Sequence, residues 1–464
     1  MANLPFLQDS NASAVPIHVI RSGEWRQWIE RHSETLRRMA AAHDFQAQNG
    51  RILLVPATDG AIERVLFGAG DKANVNVIGA LAQHLPAGDY RIAFAPRELN
   101  GTAAAIAWGL GAYVFDRYKK RKRPAPLLAP PEGADMAEAA RIVEASWLAR
   151  DLVNTPTNDM GPKALHAAAE AVAKRYGASF EAIVGEDLLS QNYPLVHAVG
   201  RAAADAPRML HVSWGDANAP RVALVGKGVC FDTGGLDLKP SAGMRLMKKD
   251  MGGAAHALAL AQIIMDAKLN VRLDVFIPAV ENSVSSDAFR PGDIIKSRKG
   301  LTVEIDNTDA EGRLILADAL ARACEDNPVL VLDFATLTGA ARTALGPDIP
   351  PFFTSDDALA SEFASASTET SDPIWRLPMW DAYDGDMDTP VADIKNTGDG
   401  AMAGAIYGAL FLRRFVTTSV WAHFDVYAWA PKEKPARPQG GEAQALRASW
   451  RVLMGRFGEK TQSK

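Results

Sequence analysis

The chain has 464 residues, more than one ordinary domain holds, so two or three domains are expected. Hydrophobic residues make up 48% and charged residues 23%, a balance that excludes long disorder, a fibrous repeat and a membrane bundle. Lys+Arg 50 against Asp+Glu 55 leaves a formal net charge of -5, too small for the overall field to call for a nucleic-acid or membrane partner.

In chain order, the first ten residues lack a basic segment followed by an apolar one, so no secretory signal is read and the cytoplasm is the expected address. Residues 25–41 carry a helical pattern, and 52–56 and 90–95 read as strands. Residues 102–115 are rich in Ala and Gly and fall short of the roughly 20 needed to cross a bilayer, so they read as a buried helix. Residues 1–133 therefore form a smaller N-terminal α/β domain. Its end is marked by the basic run Lys119-Lys-Arg-Lys-Arg123 before Pro124 and a Pro-rich stretch. That run is expected to be solvated charge suiting the negative pole of a helix, with a nucleic-acid patch as the competing reading.

A helix is expected over 136–153, ending in the breaker-rich Asn154-Thr-Pro-Thr-Asn-Asp-Met-Gly-Pro. Apolar runs of strand type follow at 221–226, 271–280, 302–306, 329–335 and 420–426, with helical stretches such as 252–268, 312–325 and 401–415 between them. This alternation predicts that residues 134–464 are a linking helix and a larger C-terminal α/β domain with a mainly parallel central sheet, helices on both faces. Ligands in such sheets sit at the carboxyl ends of the strands.

Those exits carry Lys227, Asp232 and Lys239 after one strand, Asp250 before the next helix, and Asp309, Glu311 and Arg313 after another. The Gly-rich segment from Val225 to Pro240 matches neither a Walker A nor a dinucleotide loop. Alone, Asp309 and Glu311 would read as acids capping the next helix. Taken together, several carboxylates in one pocket repel each other unless cations neutralise them, which points to a pair of divalent ions, with Mn, Mg, Co and Zn all compatible. Two cysteines, Cys230 and Cys324, and nine scattered histidines leave no Cys/His zinc pattern, so carboxylates would have to make most of such a site.

Val225-Gly-Lys-Gly through Asp250-Met-Gly-Gly-Ala-Ala, with Asn307-Thr-Asp-Ala-Glu-Gly-Arg-Leu, resembles the leucyl (cytosol) aminopeptidase family of metallopeptidases, whose signature is the octapeptide. The likeness extends to residues 154–162, 289–293, 335–340, 392–396 and 421–425, covering essentially everything after residue 140. The resemblance implies a two-metal aminopeptidase acting on peptides with a free N-terminus. Asp232 and Glu311 would bridge the metals, Lys227 and Asp250 would complete the tighter site, and Asp309 the more exchangeable one. As a ligand, Lys227 must be a neutral amine, so its pKa of about 10.4 would have to be pulled down by the cations, and activity should fail at low pH. A metal-acidified water would attack, Lys239 would stabilise the oxyanion, and Arg313 with Leu337 would hold a bicarbonate as general base. Read from the residues alone, Arg313 is a clamp for phosphate or carboxylate.

Met247, Thr336, Gly339 and Tyr427 would line the substrate side-chain pocket. Tyr427 stands where the family usually has a small residue, and Thr233 where it often has Ser, so a narrowed or reshaped pocket is expected. The resemblance also implies a homohexamer, a dimer of trimers, with the N-terminal domain non-catalytic and serving assembly or cover. His423 is read as a core histidine, Cys230 as packing, and Trp375, Trp380, Trp421 and Trp429 as core or subunit-contact residues. Two other functions compete: a nucleic-acid-binding oligomeric scaffold using residues 119–123, and a two-metal phosphoesterase.

Overall fold

The computed structural model describes residues 4–9, 13–71, 74–418 and 420–458; residues 1–3 and 10, part of the leader reading, lie outside the described residues. Contacts divide the chain into two compact units, Met1–Trp147 with Lys432–Gln439, and Leu148–Pro431 with Gly440–Lys464. The first contains β1 (Val15–Arg21), α1 (Ser22–Ile29), α2 (Glu34–Ala42), β2 (Ile52–Pro56), β3 (Ile62–Gly70), α3 (Gly79–His84), β4 (Asp89–Phe94), α4 (Gly101–Gly111) and β5 (Leu127–Leu128). Its sheet has the order β2-β3-β1-β4-β5 and is parallel except at β2–β3. Ile17, Val19, Val65, Phe67 and Trp108 are buried at its centre.

Three expectations change here. The single helix over 25–41 is two, because the Ser33 hydroxyl accepts from Leu36 N (3.3 Å) and starts a new helix. The helix expected over 102–115 closes at Gly111, where it passes so near α3 that a Cβ would lie 2.2 Å from Gly79 O. The basic run is therefore not a continuation of that helix. It is exposed irregular chain, from which Arg121 Nη1 reaches back to the Ala112 carbonyl (3.3 Å). The helix α5 (Met136–Asn154) contains the boundary between the units, at Trp147 and Leu148.

The second unit opens with α6 (Pro162–Tyr176), β6 (Ser179–Val184), α7 (Asp187–Ser190), α8 (Pro194–Gly200), β7 (Arg208–Trp214), β8 (Arg221–Gly226) and β9 (Gly228–Asp232). There follow α9 (Ser241–Met244), α10 (Gly252–Asp266), β10 (Arg272–Asn282), β11 (Ile294–Lys296), β12 (Thr302–Glu304), α11 (Glu311–Glu325) and β13 (Leu330–Ala335). It ends with α12 (Gly339–Leu345), β14 (Pro351–Phe353), α13 (Asp357–Thr370), β15 (Trp375–Arg376), β16 (Ile394–Lys395), α14 (Gly404–Arg413), β17 (Trp421–Asp425), β18 (Trp429–Ala430), β19 (Gly440–Gly441) and α15 (Leu446–Phe457).

The main sheet runs β15-β14-β17-β13-β8-β10-β7-β6, with β9 also paired to β10. Its centre, β17-β13-β8-β10, is parallel, while β14, β7 and β6 join antiparallel towards the edges. Successive residues of β8 point to opposite faces. Ala223 and Val225 pack in one cluster with Leu314 and Ile315 of α11, and Gly226 meets Ala254 of α10, so α10 and α11 cover opposite sides. The run 302–306, expected in this sheet, instead supplies β12 to a separate sheet of order β11-β12-β16. Only its middle residue is buried, the pattern of a one-sided strand rather than of a fully covered one. No helix among the described residues is long and apolar enough to cross a membrane.

Asp318 of α11 ties this architecture together. Its Oδ2 accepts from Leu195 N (2.8 Å) and Val196 N (3.4 Å) in the first turn of α8, and its Oδ1 from Arg298 N (2.8 Å). Burial pushes its carboxyl up to about 7, although those three amides favour the ionised form. Asp318→Ala leaves buried N–H groups without an acceptor and should destabilise the protein by about 3 kcal/mol. Chemical denaturation measures this, and an unchanged midpoint would contradict the assigned role.

Candidate active site and metal centre

Lys227 occupies the single residue between β8 and β9. Its N–H donates to Phe334 O (3.0 Å) at the end of β13, and its carbonyl accepts from Ala254 N (2.8 Å) in the first turn of α10. Such an approach requires glycine at 253, where a Cβ would lie 2.0 Å from Phe334 O and 2.7 Å from Lys227 N. The side chain then crosses the start of α11, where a Cβ on Gly312 would lie 2.4 Å from Lys227 Cε. The Lys227 ammonium, 2% exposed, meets Asp250 Oδ2 at 2.6 Å, Glu311 Oε1 at 3.0 Å and the Thr336 carbonyl at 3.0 Å.

Asp232 ends β9. Its Oδ1 accepts from Gly234 N (2.9 Å) and Asn282 Nδ2 (2.8 Å), which leaves Oδ2 to pair with Lys239 Nζ (2.8 Å). Lys239 also pairs with Asp309 Oδ1. The loop before α11 is clamped from both sides. Asn396 Oδ1 accepts from Asp306 N and Asn307 N while its Nδ2 donates to Asn307 O (2.7 Å), and Asp237 Oδ2 accepts from Thr308 N (2.7 Å). The result brings carboxylate oxygens of Asp232, Asp309 and Glu311 within 4.8 Å of one another.

The electrostatics follow from this crowding. Burial, and next the Asp232 charge, push Glu311 up to about 8, and the same two causes push Asp309 up to about 6. Burial works against the Lys227 ammonium, but Asp250, Glu311 and Asp232 outweigh it and hold that proton above the ordinary lysine range. Lys239 is held the same way, burial being outweighed chiefly by Asp232 and Glu311. Burial opposes the Asp250 charge too, yet Lys227 and Lys249 keep its carboxyl below the usual range.

Lys227, Lys239 and Lys249 against Asp232, Asp250, Asp309 and Glu311 still leave surplus negative charge when all four acids ionise. Moreover, Glu311 Oε2 is buried without a hydrogen-bond partner among the described residues. A buried, oxygen-rich, net-negative group with an unpaired carboxylate oxygen fits hard divalent cations. Lys227 fits only as a neutral amine, so metal ligation there would expel its proton.

Arg313 Nη1 donates to Asn396 O (2.8 Å), its Nε is buried without a partner among the described residues, and burial pulls its pKa down to about 10. The Leu337 amide is committed: it donates to Asp425 Oδ1 (3.0 Å), which also accepts from Thr338 N. Thr336 is tied to the cluster, its hydroxyl donating to Asp250 O (2.9 Å). Met247 is half-buried and opens the 3-10 turn Met247–Met251 that carries Asp250. Tyr427 lies 4.7 Å beneath the Arg342 guanidinium and 5.4 Å from Lys249 Nζ, and a Cβ on Gly339 would come 3.6 Å from Arg342 Nη2.

His423 is a core residue of β17, its Nδ1 2.6 Å from Asp333 Oδ1 on the neighbouring strand. Cys230 is buried in β9 and Trp421 in β17, whereas Trp375 and Trp380 are exposed. Sequence reasoning missed Asn282, Asn396, Asp237, Asp425 and Lys249. Asn396 and Asp425 close the segments 392–396 and 421–425 that carry the resemblance, and Asp237 and Lys249 lie within 225–255, so their place in those segments was the available signal; only Asn282 lies outside them.

Residues 147–449 match the cytosol aminopeptidase family, catalytic domain, and residues 15–131 match the M17 aminopeptidase, N-terminal domain. A probable cytosol aminopeptidase of Syntrophotalea carbinolica is 40% identical over 356 residues, spanning 73% of this chain and 71% of its own length. The crystal structure of the cytosol aminopeptidase from Coxiella burnetii superposes with a TM-score of 0.93 at 44% identity, covering 97% of this chain and 99% of that one. The bottromycin maturation enzyme BotP in complex with Mn gives 0.86 at 32% identity, covering 96% and 100%. The catalytic-domain match runs through every residue that builds the carboxylate cluster, and the chain belongs to the cytosol aminopeptidase family of metal-dependent peptidases.

Proposed function

We propose that this aminopeptidase holds two divalent cations on Asp232, Glu311, Asp309, Asp250 and Lys227, and releases there the first residue of peptides with a free amino group. The observation that carries the reading is Glu311 Oε2, buried and unpaired beside Asp232 and Asp309. When bound, the cations would supply an acidified water as nucleophile and a Lewis acid for the scissile carbonyl. Asp232 and Glu311 would hold both cations, and Asp309, the more exposed of the three, would complete the more exchangeable site. Lys239, anchored by Asp232 and Asp309 and held protonated, donates to the carbonyl oxygen as it becomes an oxyanion. The oxygen-rich donor set with one amine suits Mn or Zn, and also admits Mg or Co.

Arg313, with its unpaired buried Nε, would hold a bicarbonate, which would supply a general base. Leu337 N–H would join only by exchanging its bond to Asp425. We extend the reading to a cytoplasmic homohexamer, a dimer of trimers, in which residues 1–133 serve assembly or cover. The names of the relatives support the address, and the exposed Trp375 and Trp380 supply apolar surface for contacts between subunits. No observation favours the nucleic-acid scaffold or the phosphoesterase.

Glu311→Gln and Asp309→Asn should lower the metal content per chain and abolish hydrolysis of an aminoacyl amide. Lys239→Met should keep the metals and lower kcat by about 10²–10³-fold. Elemental analysis with steady-state kinetics separates these outcomes, and metal loss in Lys239→Met would contradict the division of roles.

Protons compete with metal at Glu311, Asp309 and Lys227. With carboxyls near 8 and 6, each acid is neutral below its pKa, so affinity should fall as pH drops through that range. Apparent Mn²⁺ affinity should rise by about tenfold per pH unit for each proton expelled. Calorimetry in buffers of differing ionisation heat counts those protons, and a pH-independent affinity would contradict the reading.

A further inference from the structure

Arg342, in α12, is half-buried and makes no ion pair among the described residues. Its Nη1 donates to Thr338 O (3.1 Å), and the rest of the guanidinium lies over the Tyr427 ring. Lys249, 2% exposed, faces the same ring, and its one ion pair among the described residues is a 3.7 Å approach to Asp250 Oδ1. Asp250 is paired with Lys227 at the centre of the cluster. A short path therefore leads from the reacting centre through Lys249 and Tyr427 to Arg342. Gly339 leaves room on the way: a Cβ there would meet only Arg342 Nη2, at 3.6 Å.

This path passes three of the residues expected to bound the pocket for the first side chain of the peptide: Gly339, Tyr427 and, through its bond to the Asp250 carbonyl, Thr336. The far wall of that pocket would thus be a planar cation on an aromatic face. An aliphatic side chain would bury against a guanidinium left without an anion, which costs free energy. A side-chain carboxylate would accept from its free N–H groups in a bidentate pair, and a carboxamide of the same shape would not neutralise the charge.

We propose that Arg342, stacked on Tyr427, is a specificity-determining residue that selects an acidic N-terminal residue, glutamate or aspartate. The inference rests on the aminopeptidase reading above. The test is kcat/KM of the metal-loaded full chain on glutamyl, glutaminyl and leucyl p-nitroanilides. The wild type should prefer glutamyl over its neutral isostere glutaminyl by about tenfold or more. Arg342→Gln should bring that ratio close to one, and Arg342→Lys should restore part of it. Because the ratio is taken within one preparation, partial misfolding of a variant leaves it unaffected. Glutaminyl hydrolysed as well as glutamyl by the wild type, or a ratio unchanged in Arg342→Gln, would overturn the assignment. Hydrolysis of none of the three would instead sink the aminopeptidase reading, and this one with it.

Discussion

Four carboxylates are forced into one buried space, and much of the catalytic unit is arranged around keeping them there. Burial, and next the like charge of Asp232, push Glu311 and Asp309 up, while Lys227 and Lys239 are held protonated between the acids. Removing either lysine would strand buried charge at a cost of roughly 3–5 kcal/mol. The backbone is shaped to the same end. Gly253 lets Lys227 hydrogen-bond between β13 and α10, and Gly312 lets its side chain lie across α11. Two glycines of the motif segments are therefore explained by distances of 2.0–2.4 Å that no side chain tolerates.

The parallel centre of the main sheet makes the convergence possible. β8, β13 and β17 run the same way, so Lys227, Thr336 and Asp425 emerge from the same end of the sheet. α10 and α11 begin beside them on opposite faces and deliver Asp250 and Glu311 towards one point. Polar side chains from loops then fix the acids: Asn282 aims Asp232, and Asn396 with Asp237 clamps the turn that presents Asp309. Asp425 binds the loop after β13, which leads to Gly339 and Arg342. The same scaffold thus positions both the carboxylate cluster and the Arg342 side chain on Tyr427.

Much of this was legible in the residues, because the clustered carboxylates and lysines lie in short motifs with fixed spacing and the central strands are continuous apolar runs. β1 and β3 escaped notice, since His18 and Arg21 in one and Glu63 and Arg64 in the other interrupt their apolar pattern. β9 was hidden inside the Gly-rich segment read as an exit loop. The split of the 25–41 helix depends on one serine hydroxyl, and the detachment of 302–306 on a local hairpin partner. Asn282, Asp425 and Arg342 acquire meaning only when distant strands meet, and neither composition nor periodicity encodes that meeting.

The central claim is that the carboxylate cluster is a two-cation centre. A crystal structure of the Mn²⁺-loaded chain, with anomalous scattering collected at the manganese edge, tests it most directly. Two anomalous peaks should lie among Asp232, Asp250, Asp309 and Glu311, with Glu311 Oε2 in direct contact with one of them. One peak or none, or a Glu311 carboxylate turned away from the metal, would contradict the account.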